Sequence, residues 1–253
     1  MRSTCKERLY LSTIAEDAPA MAKTYGLGLE IADFCTAMYI DQDFPHWDGI
    51  VQEKIRGSAR RVFHAPFNEL ATAAIDPLVL EITYRRYRQA IELAQRYGCK
   101  KVVFHSTFIP RVYYPEWFIP RSVEFWQTFL KDVPEDICCC MENVMDTQME
   151  PLVDIVSNVN DSRLRLCLDI GHIHVTQTEK TVETVVEDIA PWIAHAHIHN
   201  NNGLHDTHSQ LGDGRIPVER VLELLLEKTD ATLGMETLCC EPSLKWLRER
   251  EFL

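Results

Sequence analysis

Short, almost wholly apolar runs alternate along this chain with longer amphipathic stretches. The apolar runs are plainest in VVF, LCL and ICCCM. Strands buried on both faces read this way, so the runs predict a parallel sheet rather than one with a wet face. Eight strands are expected, over Leu9–Thr13, Leu27–Phe34, Arg61–His64, Lys101–His105, Ile137–Asn143, Leu164–Asp169, Ala194–His199 and Thr232–Glu236. Between them lie helical patterns. Asp76-Pro77 opens one, with Asp as the cap and Pro in the first turn. It continues as LVLEITYRRYRQAIELAQRYG and stops at Gly98. Arg121–Lys131, Glu150–Asn158, Glu179–Ile189, Pro217–Glu227 and Pro242–Arg250 read as further helices.

Strand followed by helix, eight times over, is the pattern of a single (β/α)8 TIM barrel. The chain's 253 residues suit one such barrel. No linker, low-complexity tract or block of charge marks a second domain, so residues 1–253 are expected to form one. Hydrophobic residues make up 46% of the chain, enough for a core of that size. No apolar run approaches the roughly 20 residues that span a bilayer. The N-terminal MRSTCKERLYLST lacks a signal peptide's apolar centre and small-residue cleavage site. A soluble, cytoplasmic protein is expected. The nine cysteines fit that compartment: Cys138, Cys139 and Cys140 are consecutive, as are Cys239 and Cys240, and no CxxC pair suggests a thiolate zinc site. Cys138 to Cys140, in an apolar strand before Glu142, read as small buried hydrophobes.

Charge narrows the partners. Lys and Arg number 26 against 38 Asp and Glu, a net charge of −12. Such a surface repels nucleic acid and anionic membranes on average.

Six stretches end a predicted strand with residues of metal-ligand type: RVFHAPF, KVVFHSTF, CCCMENVMD, LCLDIGH, AHAHIHNNNGLHDTH and LGMET. They supply His64, His105, Glu142, Asp169, His172, His197, Asp206, His208 and Glu236. Chemistry in such barrels sits at the carboxyl ends of the strands, where seven of these nine lie. Asp206 and His208 lie in the loop after the seventh strand, on the same face. Imidazole and carboxylate without thiolate suit Zn, Mn, Fe or Co.

Each residue has a blander reading. Glu142 after ICCCM is costly to bury unless paired, but a Glu at a strand end also reaches solvent. Asp169 is a helix cap as readily as a ligand, although Gly171 would permit a sharp turn that brings Asp169 and His172 together. His195, His197 and His199 share one strand face, so one or two of them reach the mouth. His195 reads as a packed, hydrogen-bonded residue lower down, His205 as a solvated loop residue, and His199 stays undecided. Gly212-Asp213-Gly214 reads as a turn.

At these residues the chain resembles the xylose isomerase-like TIM-barrel superfamily, which includes sugar phosphate isomerases and epimerases and endonuclease IV-type enzymes. The most specific segments are HAPF, VVFH, MENV, CLDIGH, HIHNNNG with LHDTHSQLGDG, and the final ET. In the ketose epimerase branch, four residues hold one ion; the resemblance places them at Glu142, Asp169, His197 and Glu236. In the endonuclease IV branch, three zinc ions use five more, at His64, His105, His172, Asp206 and His208. The resemblance therefore implies a divalent ion, Zn, Mn or Co, at one to three per chain.

Two activities follow. The first is isomerisation or epimerisation of a small sugar or sugar phosphate through an enediolate, with Glu142 and Glu236 as the acid/base pair. The second is endonuclease IV-type phosphodiester hydrolysis at a di- or trinuclear zinc site. The loops favour the first. No Lys or Arg occurs between Ile31 and Glu53 or between Ala65 and Tyr84, where a duplex-binding enzyme would need cations for phosphates. A small carbohydrate is the expected partner. The segment FIPRVYYPEWFIPR, residues 108–121, carries five aromatics. It reads as a lid over a small substrate or as a contact between copies of the chain.

Overall fold

Eight parallel strands close on themselves in chain order. The computed structural model describes residues 4–176 and 179–253. The strands are β1 (Leu9–Ser12), β2 (Gly28–Ile31), β3 (Arg61–His64), β4 (Lys101–His105), β5 (Cys138–Glu142), β6 (Leu164–Asp169), β7 (Ile193–Ile198) and β8 (Thr232–Met235). Pairing of Leu9 with Leu233 and Leu11 with Met235 closes the ring between β1 and β8. The expected fold, a TIM barrel, is the one observed. Four of the observed strands, β1, β2, β5 and β8, are a residue or more shorter than expected, and β2 keeps only Gly28–Ile31 of Leu27–Phe34.

The helices are α1 (Ala18–Tyr25), α2 (Met38–Asp41), α3 (Phe44–Lys54), α4 (Pro77–Arg96), α5 (Pro115–Phe129), α6 (Glu150–Val159), α7 (Ile170–Thr176), α8 (Val182–Ile189), α9 (Val218–Lys228) and α10 (Cys240–Glu249). The Asp76 side chain accepts from the Leu78 N–H at 2.8 Å, so α4 starts where its cap predicts. α5 begins at Pro115, six residues before the predicted start, because a proline in the first turn forfeits no helical hydrogen bond. The second half of the 108–121 segment is therefore helix. Among the described residues, no helix is long and apolar enough to cross a membrane.

Outward strand residues and inward helix residues make the main core. Tyr87, Phe104, Trp126 and Phe129 are fully buried there, with Tyr87 and Phe104 ring centres 4.5 Å apart. A smaller cluster fills the lower barrel interior: Tyr10, Val62, Val103, Cys140 and Cys167. The nine cysteines are all free thiols, and Cys139, Cys140 and Cys167 pack as buried apolar groups. Along the inward rows of β5 and β6, the apolar Cys140 and Cys167 give way to the carboxylates Glu142 and Asp169. That change of character is what makes the mouth a site.

Candidate metal centre at the barrel mouth

Side chains alternate along a strand, so inward positions lie two residues apart. Cys140 is followed inward by Glu142, Cys167 by Asp169, and His195 by His197. Strand register sets these uppermost residues side by side: His105 opposite Glu142, and Asp169 opposite His197. Glu236 follows β8 directly, held by its backbone N–H to the Ile198 carbonyl. Asn143 ties β5 to β6, donating to the Asp169 carbonyl and accepting from the Asp169 N–H. The loop after β7 is folded back by paired backbone hydrogen bonds between Asn200 and Ser209. This carries Asp206 and His208 over the mouth. His208 sits at φ 45°, in the left-handed region that non-glycine residues rarely adopt.

The centre is His197. Its Nδ1 lies 3.0 Å from Glu142 Oε1, 3.6 Å from Glu236 Oε2 and 3.7 Å from Asp169 Oδ2. All four residues are buried, at 0% exposure for Asp169 and His197, 1% for Glu142 and 6% for Glu236. Two further groups flank them. His64 Nε2 and His105 Nε2 lie 3.3 and 3.4 Å from Glu142 Oε2. On the other side, His172 Nε2 and His208 Nε2 lie 3.3 and 3.0 Å from Asp206 Oδ2. The nine residues thus form one continuous row, with Glu142 shared between the centre and one flank.

Four of these histidines obey one rule. Each has one ring nitrogen against a fixed acceptor: His64 Nδ1 on the Ala65 carbonyl, His172 Nδ1 on the Asn143 carbonyl, His208 Nδ1 on the Glu236 carbonyl and His197 Nε2 on Glu30. That nitrogen must carry the proton. The other nitrogen then presents a lone pair to carboxylate oxygens. Lone pair against carboxylate is repulsive unless a cation stands between them. A proton or a metal ion satisfies the arrangement, and a set of nitrogen and oxygen donors oriented by outer hydrogen bonds suits a divalent metal. All nine residues fall into groupings whose ligand atoms lie within 4.8 Å of one another: seven of them without Asp206 and His208, which join His172 in a further grouping.

Without a metal, protons serve. Burial pulls His172 down, but Asp169, Asp206 and Glu142 carry it up to about 10. Burial likewise opposes the charge on His208, which Asp206 and Glu236 raise to about 9. His105 goes the other way: burial, with repulsion from neighbouring histidines, pushes it down to about 3 despite Glu142. The two carboxylates of the predicted acid/base pair also separate. Burial works to raise Glu142, yet the charges and hydrogen bonds of its histidine neighbours hold it well below the usual carboxylate range. Glu236 is raised, by burial first and then by repulsion from Glu30 and Glu142, against the pull of His197.

Several details differ from sequence expectation. Asp169 is cap and site residue at once, since its Oδ1 accepts the His172 N–H at 2.7 Å. Gly171 makes no turn. It lies inside α7, and a β-carbon there would stand 1.9 Å from His199 Cε1. The missing side chain is what lets the His199 ring reach Asp169, 3.2 Å from each carboxylate oxygen. His199 also stacks on His208, with ring centres 4.1 Å apart. It belongs to the site, as does Glu30, which the sequence reading did not single out. His195 lies lower, between Glu30 and Thr232, and His205 is exposed.

A profile of the family described as xylose isomerase-like TIM barrel matches residues 25–253. The chain belongs to that family. An uncharacterised protein of Methanocaldococcus jannaschii, MJ1311, is 30% identical over 176 residues, which span 66% of this chain and 60% of the relative. The match thus covers about three fifths of that relative's length. Two solved structures share the fold. A D-tagatose 3-epimerase-like protein superposes with a TM-score of 0.76 at 24% identity, over 97% of this chain and 96% of the other. The TTHB071 protein from Thermus thermophilus, soaked with zinc chloride, gives 0.73 at 24% identity, over 96% and 97%.

Proposed function

We propose that this xylose isomerase-like barrel is a divalent-metal-dependent isomerase or epimerase of a small sugar or sugar phosphate, acting in the cytoplasm. The observation that carries the reading is the pair Glu142 and Glu236. They approach His197 Nδ1 from different strands, and their surroundings push their proton affinities in opposite directions. Two carboxyl groups of unequal proton affinity at one site can divide the removal and the return of a proton, which is what proton transfer next to a carbonyl requires.

Glu142, Asp169, His197 and Glu236 would hold the ion. Bound there, a divalent ion supplies the Lewis acidity that stabilises an enediolate. The remaining work falls to the chain. Glu142 takes the proton from the carbon beside the carbonyl, and Glu236 returns one. Phe67, whose ring lies flat on His105 with centres 4.0 Å apart, walls one side of the mouth. Kinship with a D-tagatose 3-epimerase-like structure supports a sugar substrate. The zinc-soaked relative supports a divalent ion. Deuterium wash-in from solvent, tried on a panel of ketoses and their phosphates, tests the reading. Exchange at a single carbon position is expected.

The flanking groups, His64–His105–Glu142 and His172–Asp206–His208, favour a second reading. Nine ligands exceed what one ion needs, and a di- or trinuclear zinc site would suit endonuclease IV-type phosphodiester hydrolysis. Metal content divides the two: about one ion per chain supports the isomerase, two or three the hydrolase.

A further inference from the structure

Below the mouth, the barrel interior holds a charged residue where apolar filling would be expected. Glu30, on β2, is fully buried. Its Oε1 lies 2.8 Å from His197 Nε2 and its Oε2 lies 3.0 Å from His195 Nε2. Burying a carboxylate costs several kcal/mol unless hydrogen bonds offset it. Here two imidazole N–H groups do so. The row continues downward: His195 Nδ1 is 2.6 Å from Thr232 Oγ1, which is 2.9 Å from Lys101 Nζ, itself 2.5 Å from the Ala194 carbonyl.

With Glu30 ionised and His195 neutral, the Nε2 proton of His195 faces Glu30 and sets the sense of this row. Lys101 has protons to give and no lone pair, so it donates to Thr232. Thr232 then donates to His195 Nδ1, His195 donates from Nε2 to Glu30, and His197 donates from Nε2 to the other oxygen of Glu30. The two lines of donation, one from Lys101 through Thr232 and His195 and the other from His197, both end on Glu30. Space for the arrangement comes from β8: a β-carbon on Gly234 would stand 2.3 Å from Glu30 Oε2 and 2.9 Å from His195 Nε2 and His197 Cδ2. Packing alone does not call for a carboxylate between two imidazoles, when Tyr10, Val62, Val103, Cys140 and Cys167 form an apolar cluster and Val62 pairs with Glu30 in register.

We infer that Glu30 is the positioning residue that fixes the ring and tautomer of His197, so that Nδ1 faces Glu142, Asp169 and Glu236, and that His195, Thr232 and Lys101 hold Glu30 in place. The inference rests on the reading that the mouth holds a divalent ion. Outer hydrogen-bond partners of this kind typically change metal affinity 10–100-fold when removed.

The test uses the full chain and zinc, measured by chelator competition, in wild type, Glu30→Leu and Glu30→Gln. Leu removes both acceptors; Gln keeps the shape and offers one. A loss of roughly 10–100-fold is expected for Leu, with a smaller loss for Gln. Imidazole 15N spectra of the zinc-loaded wild type provide a readout that packing alone would not move and that no misfolded variant can obscure. His197 should show a protonated Nε2 and a metal-bound Nδ1. Binding of His197 through Nε2, or a folded Glu30→Leu protein with zinc affinity within threefold of wild type, would overturn the assignment of Glu30 alone. Wild type that binds no zinc, manganese or cobalt would overturn both this inference and the metal-dependent reading beneath it.

Discussion

Under the second reading, in which the His172–Asp206–His208 flank also holds an ion, raising the pH from 6.5 to 9 should tighten metal binding there steeply, because the two histidines must give up protons to become ligands. In the metal-free chain, His172 titrates at about 10 and His208 at about 9, against an ordinary 6.5. Both are therefore protonated at pH 7, and both must be neutral at Nε2 to hold an ion with Asp206. Each displaced proton costs about 1.4 kcal/mol per pH unit below its pKa. At pH 7 that is about 4 kcal/mol for His172 and about 3 kcal/mol for His208, together a factor of roughly 10⁵ in the association constant. One unit higher, two protons' worth of cost is relieved, so binding to this flank should strengthen about a hundredfold. Calorimetric titration in two buffers of unequal ionisation enthalpy counts the protons released. Near neutral pH the wild type should release at least two, and His208→Ala about one fewer. The metal-free protein should respond in the opposite sense. Both shifts are upward, so their contribution to stability is complete below pH 6.5 and is lost as the pH climbs through about 9 and 10. A proton count unchanged by His208→Ala, or affinity flat from pH 6.5 to 8, would refute the reasoning.

Glu142→Gln and Glu236→Gln should each lower solvent exchange into an accepted sugar by roughly 10²–10⁴ with the ion still bound; full exchange in metal-loaded Glu236→Gln would reduce that residue to a ligand. Gly171→Ala should destabilise the fold by about 1–3 kcal/mol in urea unfolding, because its β-carbon would displace the His199 ring from Asp169; wild-type stability would show that the ring has room to move. Duplex DNA with an abasic nick should not bind at nanomolar concentration in physiological salt, given the net charge of −12; tight, steeply salt-dependent binding would move the function to the hydrolytic reading.

The barrel was legible in the sequence because a strand buried on both faces leaves so plain a mark. VVF and ICCCM locate β4 and β5 to within a residue at either end. Helices were uneven. α4 announces itself through Asp76-Pro77, whereas α1 is built from small residues, APAMAKTY, whose apolar stripe is faint. α7 follows β6 with no intervening turn, so nothing in LCLDIGHIHV marks where strand becomes helix. The candidate residues at strand ends were readable because position on a strand fixes height in the barrel. Glu30 was not. In LGLEIADF it looks like a polar interruption of an apolar run. Its partners lie 165 and 167 residues away across the barrel interior, and only closure of the ring brings them together. His199 was left open for a related cause: whether it reaches Asp169 depends on the space left by Gly171 on the neighbouring helix.

Solvent deuterium exchange on a panel of ketoses and ketose phosphates, with the same protein chelated and then reloaded with manganese, cobalt or zinc, decides whether the barrel is a metal-dependent isomerase. Exchange is expected at one carbon beside the carbonyl of at least one sugar, abolished by the chelator and restored by metal. Metal-loaded protein that exchanges no sugar, yet cleaves a phosphodiester at a site holding two or three ions, would contradict that reading.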